Sequence, residues 1–248
     1  MTLDRLVDIM KRLRDPVRGC EWDRQQSFET IAPYTIEEAY EVADAIARGD
    51  MEALADELGD LQLQVVFHAQ MAEEAGHFTL DEILAGICDK LERRHPHIFG
   101  DAASSPGWEE IKAAERDKGS DSSALAGVAL ALPALERAAK LQRRAARTGF
   151  DWPDPTGARA KIDEELAELD AETDHQRMLE EIGDLLFAVV NLARHLNIEP
   201  EAALREANRK FERRFREIER APGFTDLPLD EKEQLWARAK AAQAVSID

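Results

Sequence analysis

Three short stretches of this 248-residue chain return, in the same order, in its second half. Glu37-Glu38-Ala39-Tyr40-Glu41 is answered by Glu164-Glu165-Leu166-Ala167-Glu168, and Glu57-Leu58-Gly59-Asp60-Leu61 by Glu181-Ile182-Gly183-Asp184-Leu185. Lys90-Leu91-Glu92-Arg93-Arg94 is answered by Lys210-Phe211-Glu212-Arg213-Arg214. The separation drifts only from 127 to 124 to 120 residues, as it does when loops shorten and helices keep their register. Self-similarity of this kind marks one supersecondary unit built twice. Whatever fold the first half takes, the second half takes too.

That unit reads as helical. Thr35-Ile36-Glu37-Glu38 has the form of a capping box, with Pro33 just upstream, opening a helix that runs to Arg48-Gly49. A second helix is expected over 51–74, stopping at Gly76, and Thr79 with Glu82 caps a third that ends before Pro96. A polar helix after Pro106 fades into Gly119-Ser120-Asp121-Ser122-Ser123, the best linker signal in the chain. The second half offers a helix over 133–147, a break at Gly149-Phe150-Asp151-Trp152-Pro153, and helices over 156–172, 176–196 and 200–220. A last one begins at Asp230, capped by Glu233. Nowhere does period-two alternation persist, and aromatics are only 6% of a chain dominated by Ala, Leu, Glu and Arg, so strands are disfavoured. The fold class is all-α, with modules at 1–118 and 133–248 and a linker at 119–132.

The charge balance narrows the functions. Fifty-one acidic residues against 32 basic ones give a net charge of −19, which repels a phosphate backbone and argues against general nucleic-acid binding. The two cysteines, Cys20 and Cys88, have neither metal-ligand spacing nor a disulfide framework. No apolar run approaches the ~20 residues of a membrane span, and residues 1–14, with charges among Leu, Val and Ile at helical spacing, are no signal peptide. A cytoplasmic protein without membrane partners is expected.

Residues three apart on a helix share a face, about 5–6 Å apart at Cβ. Glu38 and Glu41 therefore project together, as do Glu57 and Asp60 on the next helix, and the short turn at Gly49-Asp50 makes the two helices antiparallel neighbours. Glu165, Glu168, Glu181 and Asp184 repeat the layout. Four converging carboxylates repel one another, and a hard divalent cation, Mg²⁺ or Mn²⁺, relieves that repulsion; no Cys or His stands beside them to favour zinc. Glutamates spaced by three are ordinary on solvated helices, but the same four-carboxylate layout twice, beside apolar stripes, is not. Leu54, Leu58, Leu61 and Val65 are expected to form a core stripe beside the first set, and Ile182, Leu185, Phe187 and Val189 beside the second. Each acidic pair also encloses a glycine, Gly59 or Gly183, that suits close approach of a neighbouring helix or ligand. Basic clusters on the third helix of each repeat (Lys90, Arg93 and Arg94; Lys210, Arg213, Arg214 and Arg216) suit phosphate oxygens, with pairing to Glu212, Glu217 and Glu219 as the competing use. Carboxylates, cation and basic groups together describe a polyphosphate site.

Glu-Glu-x-x-Glu, a spacer of 12 or 15 residues, then Glu-x-x-Asp resembles the signature of the MazG family of nucleoside triphosphate pyrophosphohydrolases. The resemblance extends through Arg12 to Pro16, Gly19 to Asp23, Ile31 to Thr35, Lys90 to Pro96, Gly149 to Trp152 and Phe211 to Glu217, and covers nearly the whole chain. It implies two tandem four-helix modules of MazG type that dimerise, and Mg²⁺-dependent hydrolysis of nucleoside triphosphates to monophosphate and pyrophosphate. It also implies that activity resides mainly in the C-terminal module. Glu165, Glu168, Glu181 and Asp184 then become the metal ligands, with Lys210, Arg214 and neighbouring Arg213 on the phosphates. Glu38, Glu41, Glu57 and Asp60 form a second candidate metal site, chemically complete in sequence.

In the mechanism this suggests, a water attacks the α-phosphorus, Glu165 or Glu164 serves as general base, and Trp152 stacks the base, while Phe150 is expected in the core. A di-iron carboxylate bundle needs Glu-x-x-His on paired helices. Glu92–His95 and Glu172–His175 have that form, but His95 abuts Pro96, His175 lies in a connection, and the two do not correspond in the repeat. His68 and His195, each on an apolar helix, are expected to be core or supporting residues. The remaining alternative is a non-catalytic helical regulator that senses nucleotides.

Overall fold

The computed structural model describes residues 2–100, 111, 121 and 123–245, and the chain divides into two compact units, Met1–Ala114 and Glu115–Asp248. The first holds α1 (Thr2–Leu13), α2 (Glu21–Gln25), α3 (Phe28–Arg48), α4 (Met51–Glu74), α5 (Leu80–Arg94) and the single turn α6 (Pro96–Phe99). The second holds α7 (Ala134–Ala146), α8 (Pro155–Ala171), α9 (His175–His195), α10 (Pro200–Ile218) and α11 (Leu229–Val245). No strand occurs among the described residues. Helices α1, α3, α4 and α5 begin 132, 127, 124 and 120 residues before α7, α8, α9 and α10. The duplication is therefore structural as well as textual, a four-helix module made twice.

Most predicted helix limits hold to within two residues, and the exceptions have local causes. Helix α3 starts seven residues before the expected Thr35 box. Ser27 is its N-cap: the Ser27 hydroxyl accepts from Thr30 N–H, and Thr30 Oγ1 accepts from Ser27 N–H. Pro33 thus lies inside the helix, where it withholds one N–H from the ladder near the N-terminus. Thr35 is left free to donate to Ile31 O and to meet His68 Nε2 at 3.0 Å. The Thr79–Glu82 box caps α5 as expected. Helix α11 starts at Leu229, so Asp230 and Glu231 sit in its first turn rather than at a cap. His175 opens α9 instead of lying in a connection. The polar helix expected after Pro106 and most of the linker signal at 119–123 lie outside the described residues. Within the rest of the expected linker, the carbonyls of Ala124 and Ala126 accept from Arg144 on α7.

The first unit is held by Met10, Ile31, Val66, Phe67 and Met71, all at least 96% buried, with Leu3, Leu6, Val7, Leu63 and Leu80 packed around them. Its rim is tied by the Arg14–Glu74 pair at 2.8 Å. The second unit buries smaller side chains, among them Ala139, Ala158 and Ala188, with Val190 and Ile218.

The apolar stripes beside the carboxylates are not core within one chain. Leu58 and Val65 are exposed, as are Ile182, Phe187 and Val189, while Leu54, Leu61 and Leu185 are half-buried. Two helices of a hairpin cannot cover both of their apolar flanks, and the third and fourth helices take only one. Gly59 and Gly183 likewise face open space, with nothing within 4 Å of a Cβ placed there. Among the described residues no helix is long and apolar enough to cross a membrane.

Candidate active site

The α3–α4 and α8–α9 hairpins each bring together three of the four expected carboxylates. One ligand oxygen from each of Glu38, Glu41 and Glu57 lies within 4.8 Å of the others, and Glu165, Glu168 and Glu181 form the same triplet. Asp60 and Asp184 stand outside these triplets but close enough to act on them. Partial desolvation, then the charge of Asp60 and then of Glu41, raises the pKa of Glu38. Glu57 is raised by desolvation, Glu41, Asp56 and Asp60. Glu181 is raised by desolvation, then by Glu168, Glu165 and Asp184. Each group is therefore a nest of mutually repelling oxygens on two helices.

The two nests differ in what surrounds them. Beside the second lies a cavity of about 660 Å³ whose lining includes Glu165, Asp184, Lys161, Asn191, Gln142 and Trp152, a volume in the range of small-molecule sites. Glu165 is only 2% exposed, and Lys161, one turn earlier on α8, pairs with it at 2.5 Å and with Glu164 at 2.8 Å. Hydrogen bonds to Glu164 and Glu165 raise the Lys161 pKa, so its ammonium is permanent in neutral water.

The cavity wall is fixed by an ionic clasp. Asp151 binds Arg194 through both oxygens, one at 2.9 Å, and approaches His195 Nε2 at 3.2 Å. The Arg194 hydrogen bond outweighs desolvation and holds the Asp151 carboxyl below its ordinary pKa. The chain enters this loop through Gly149, whose φ of +86° suits glycine. Trp152 then lies directly on the first turn of α8: a Cβ at Gly157 would sit 2.3 Å from its indole, so only glycine admits the ring.

The internal repeat explains why the cavity exists. Carried through the helix offsets, Met10, Ile31, Tyr34 and Phe67 of the first module correspond to Gln142, Ala158, Lys161 and Asn191 of the second. In the first module these positions are filled: Met10, Ile31 and Phe67 are core, and Trp22 packs edge-on against both Tyr34 and Phe67. In the second, each replacement is smaller or polar, and space opens beside the acid triplet.

Other expected site residues fall elsewhere. Glu164 stays exposed and outside the triplet, held by Lys161. Lys210, Arg213 and Arg214 do not line the cavity. Arg214 lies over Trp236 at 5.8 Å, and Arg213 joins Arg209, Arg216 and Arg220 around a separate groove on α10. The competing use of the basic cluster is realised where Arg216 pairs with Glu212. Phe150, expected in the core, is 82% exposed at the cavity. His68 is half-buried, stacked on Phe28, with its pKa lowered by desolvation; His195 supports the clasp. Lys161 is the residue that spacing arguments passed over. Its signal was an i, i+4 position before Glu165, which reads equally well as an ordinary surface ion pair.

Two four-helix modules, each with carboxylates converging from paired antiparallel helices, define a class of all-α proteins built on a duplicated acidic hairpin. A model of the MazG nucleotide pyrophosphohydrolase domain matches residues 26–99 and 160–218. The chain is 51% identical over 254 residues to the nucleoside triphosphate pyrophosphohydrolase of Escherichia coli (strain K12), covering 96% of this chain and 97% of that one. It is 47% identical to the nucleoside triphosphate pyrophosphohydrolase/pyrophosphatase MazG of Thermotoga maritima, covering 96% and 95%. It is 34% identical to the nucleoside triphosphate pyrophosphohydrolase of Mycobacterium tuberculosis, over 59% and 46%. The chain belongs to the MazG family, and it carries the family's domain twice.

Proposed function

We propose that the chain hydrolyses nucleoside triphosphates to nucleoside monophosphate and pyrophosphate, in its second module and with Mg²⁺. The observation that carries this reading is Glu165, which belongs to the acid triplet and, with Lys161 and Asp184, lines a cavity large enough for a nucleotide. The donor set fits the metal: three carboxylate oxygens from two helices, mutually repelling and without Cys or His among them, suit Mg²⁺ or Mn²⁺. Bound there, the ion supplies charge neutralisation and Lewis-acid polarisation of phosphoryl oxygens. Glu165, Glu168 and Glu181 hold it, with Asp184 beside them.

The chain's own groups do the rest. Lys161 offers a permanent ammonium to the phosphates at the mouth of the triplet, and preorganised charge of this kind stabilises a departing pyrophosphate. A water adds to the α-phosphorus as the bond from that phosphorus to the bridging oxygen breaks, and the water's proton passes to a carboxylate, Glu164 or Glu165. Trp152 presents its ring to the base. The first module has the same acid triplet but Tyr34 where Lys161 stands, and Met10 and Phe67 where the cavity opens. It is therefore assigned no turnover.

A homodimer belongs to the same reading. Leu179, Leu186 and Val189 of α9 and Leu166 of α8 are 44–60% exposed along one hairpin, an apolar face suited to association, and a second copy covers it. Incubating the chain with mixed triphosphates and Mg²⁺ in ¹⁸O-water tests the chemistry. Monophosphate and pyrophosphate in equal amounts, with the label in the monophosphate, support it. Release of orthophosphate, or label in the pyrophosphate, overturns it.

A further inference from the structure

The cavity beside the second acid triplet is lined by two amides, buried Gln142 and half-buried Asn191, whose orientations are not interchangeable. Gln142 on α7 is 6% exposed. Its Nε2 donates to the carbonyl oxygen of Phe187 at 2.8 Å. A carbonyl can only accept, so the amide's NH₂ must face Phe187 and its Oε1 must face away. That Oε1 is buried and has no hydrogen-bond partner. Asn191 on α9 is fixed in the opposite sense. Its Oδ1 accepts from Arg194 Nε at 3.1 Å and Nη2 at 2.7 Å. A guanidinium can only donate, so the Asn191 NH₂ is the end left for a ligand. Both residues line the cavity that holds Glu165, Lys161 and Trp152.

The sister module serves as an internal control. There the position of Gln142 is Met10, 1% exposed, and the position of Asn191 is Phe67, 3% exposed, both central to an apolar core. The fold therefore packs well with hydrocarbon at these two places. Leaving a buried carbonyl unpaired costs stability, and the bond from Gln142 Nε2 to Phe187 O accounts for only one end of the amide.

We infer that Gln142 and Asn191 read the hydrogen-bonding edge of the nucleobase, Gln142 as acceptor and Asn191 as donor. This rests on the proposal that the second module is the triphosphate site, and it adds the part of the substrate recognised. The complementary ligand is a heterocycle with a donor beside an acceptor on one edge, such as the N3–H and O4 of a uracil or the N6 amine and N1 of an adenine. The Trp152 ring, seated on Gly157, supplies the stacking surface. The clasp of Asp151 and Arg194 becomes part of specificity, because Arg194 sets which end of Asn191 faces the base.

The test measures kcat/KM of the full chain with Mg²⁺ for UTP, N3-methyl-UTP, ATP, N6,N6-dimethyl-ATP and base-free ribose 5-triphosphate, in wild type, Gln142→Met and Asn191→Leu. Wild type is expected to prefer each unblocked nucleotide over its methylated form by at least ~10-fold, as sites built to hydrogen-bond a substrate do. In Gln142→Met, UTP and ATP fall to within about twofold of their methylated forms, because a methionine cannot pair with the donor. Asn191→Leu lowers UTP and ATP as well, and ribose 5-triphosphate is unchanged in both variants. Discrimination that survives in Gln142→Met, or is absent in wild type, overturns the assignment. So does an equal fall for ribose 5-triphosphate, the mark of a structural role. A wild-type chain inert toward every triphosphate overturns the site proposal itself, and this assignment with it.

Discussion

Replacing Gln142 with Met puts into the second module the side chain that the first module already uses at the same helix position. In the native chain Gln142 is 6% exposed, its Nε2 is bonded to Phe187 O at 2.8 Å, and its Oε1 has no partner. Removing the amide loses one hydrogen bond, a net cost of about 0.5–1.5 kcal/mol, and removes an unpaired buried acceptor that costs about 1–3 kcal/mol. The bonded carbonyl lies inside α9 and keeps its helical ladder partner, so it is not itself orphaned. Met10, at 1% exposed, shows that the thioether fits this register. The balance favours the variant by about 1 kcal/mol, which for a chain of this length raises the melting temperature by roughly 2–4 °C. Differential scanning calorimetry of the full chain, wild type against variant, reads the shift directly. A variant that melts at the same temperature or lower refutes the reasoning, since Oε1 would then be satisfied in the free protein and its burial would carry no functional meaning. A gain in stability joined to a loss of base discrimination is the pattern of a position kept for its ligand.

Glu165→Gln and Asp184→Ala are each expected to lower pyrophosphate release by roughly 10³-fold or more with the helical circular dichroism unchanged, whereas Glu38→Gln stays within about threefold of wild type; equal losses in both modules would reassign the chemistry. Lys161→Met should lower kcat by about 10²-fold and, measured without Mg²⁺, lower the melting temperature too, because it leaves the buried Glu165 carboxylate without its ion-pair partner. Asp151 titrates below its usual value because Arg194 holds its anion, so its stabilising contribution is complete above the ordinary carboxylate range and is lost as pH falls through the depressed native value. The stability gap between wild type and Asp151→Asn, measured by urea unfolding, should accordingly be flat at neutral pH and close only in acid; a gap that opens in acid would contradict the clasp. Ser27→Ala removes the cap of α3 and should cost about 1 kcal/mol by the same measurement.

The helices were legible in the sequence because their signals are local. The Thr79–Glu82 box, the stops at Gly49 and Gly76, and the breaks at Pro96 and Gly149 each act within one turn, and the offset between repeated helices shrinks only from 132 to 120 residues. The start of α3 was misplaced because two capping patterns compete there, and packing against α4 favours the longer helix that buries Ile31. The acid clusters were legible for the same reason, as sets of four of which three converge: a spacing of three puts two carboxylates on one face, and a short turn brings the next pair across.

What the sequence could not decide is which duplicate holds a cavity. The first module's Met10, Tyr34 and Phe67 and the second's Gln142, Lys161 and Asn191 lie on different helices, and no spacing rule connects them. Their meaning depends on meeting around one volume. Only the tertiary structure shows that Met10 and Phe67 are packed into core while Gln142, Lys161 and Asn191 line about 660 Å³ beside Glu165. Likewise it took the folded chain to show that the stripes of Leu58 and Val65, and of Ile182 and Val189, lie at the surface of a single copy. Pattern records that a face is apolar; the identity of what covers it depends on long-range packing. The sequence by itself determined two helical modules with two acidic nests, and the three-dimensional packing distinguished the open one from the filled one.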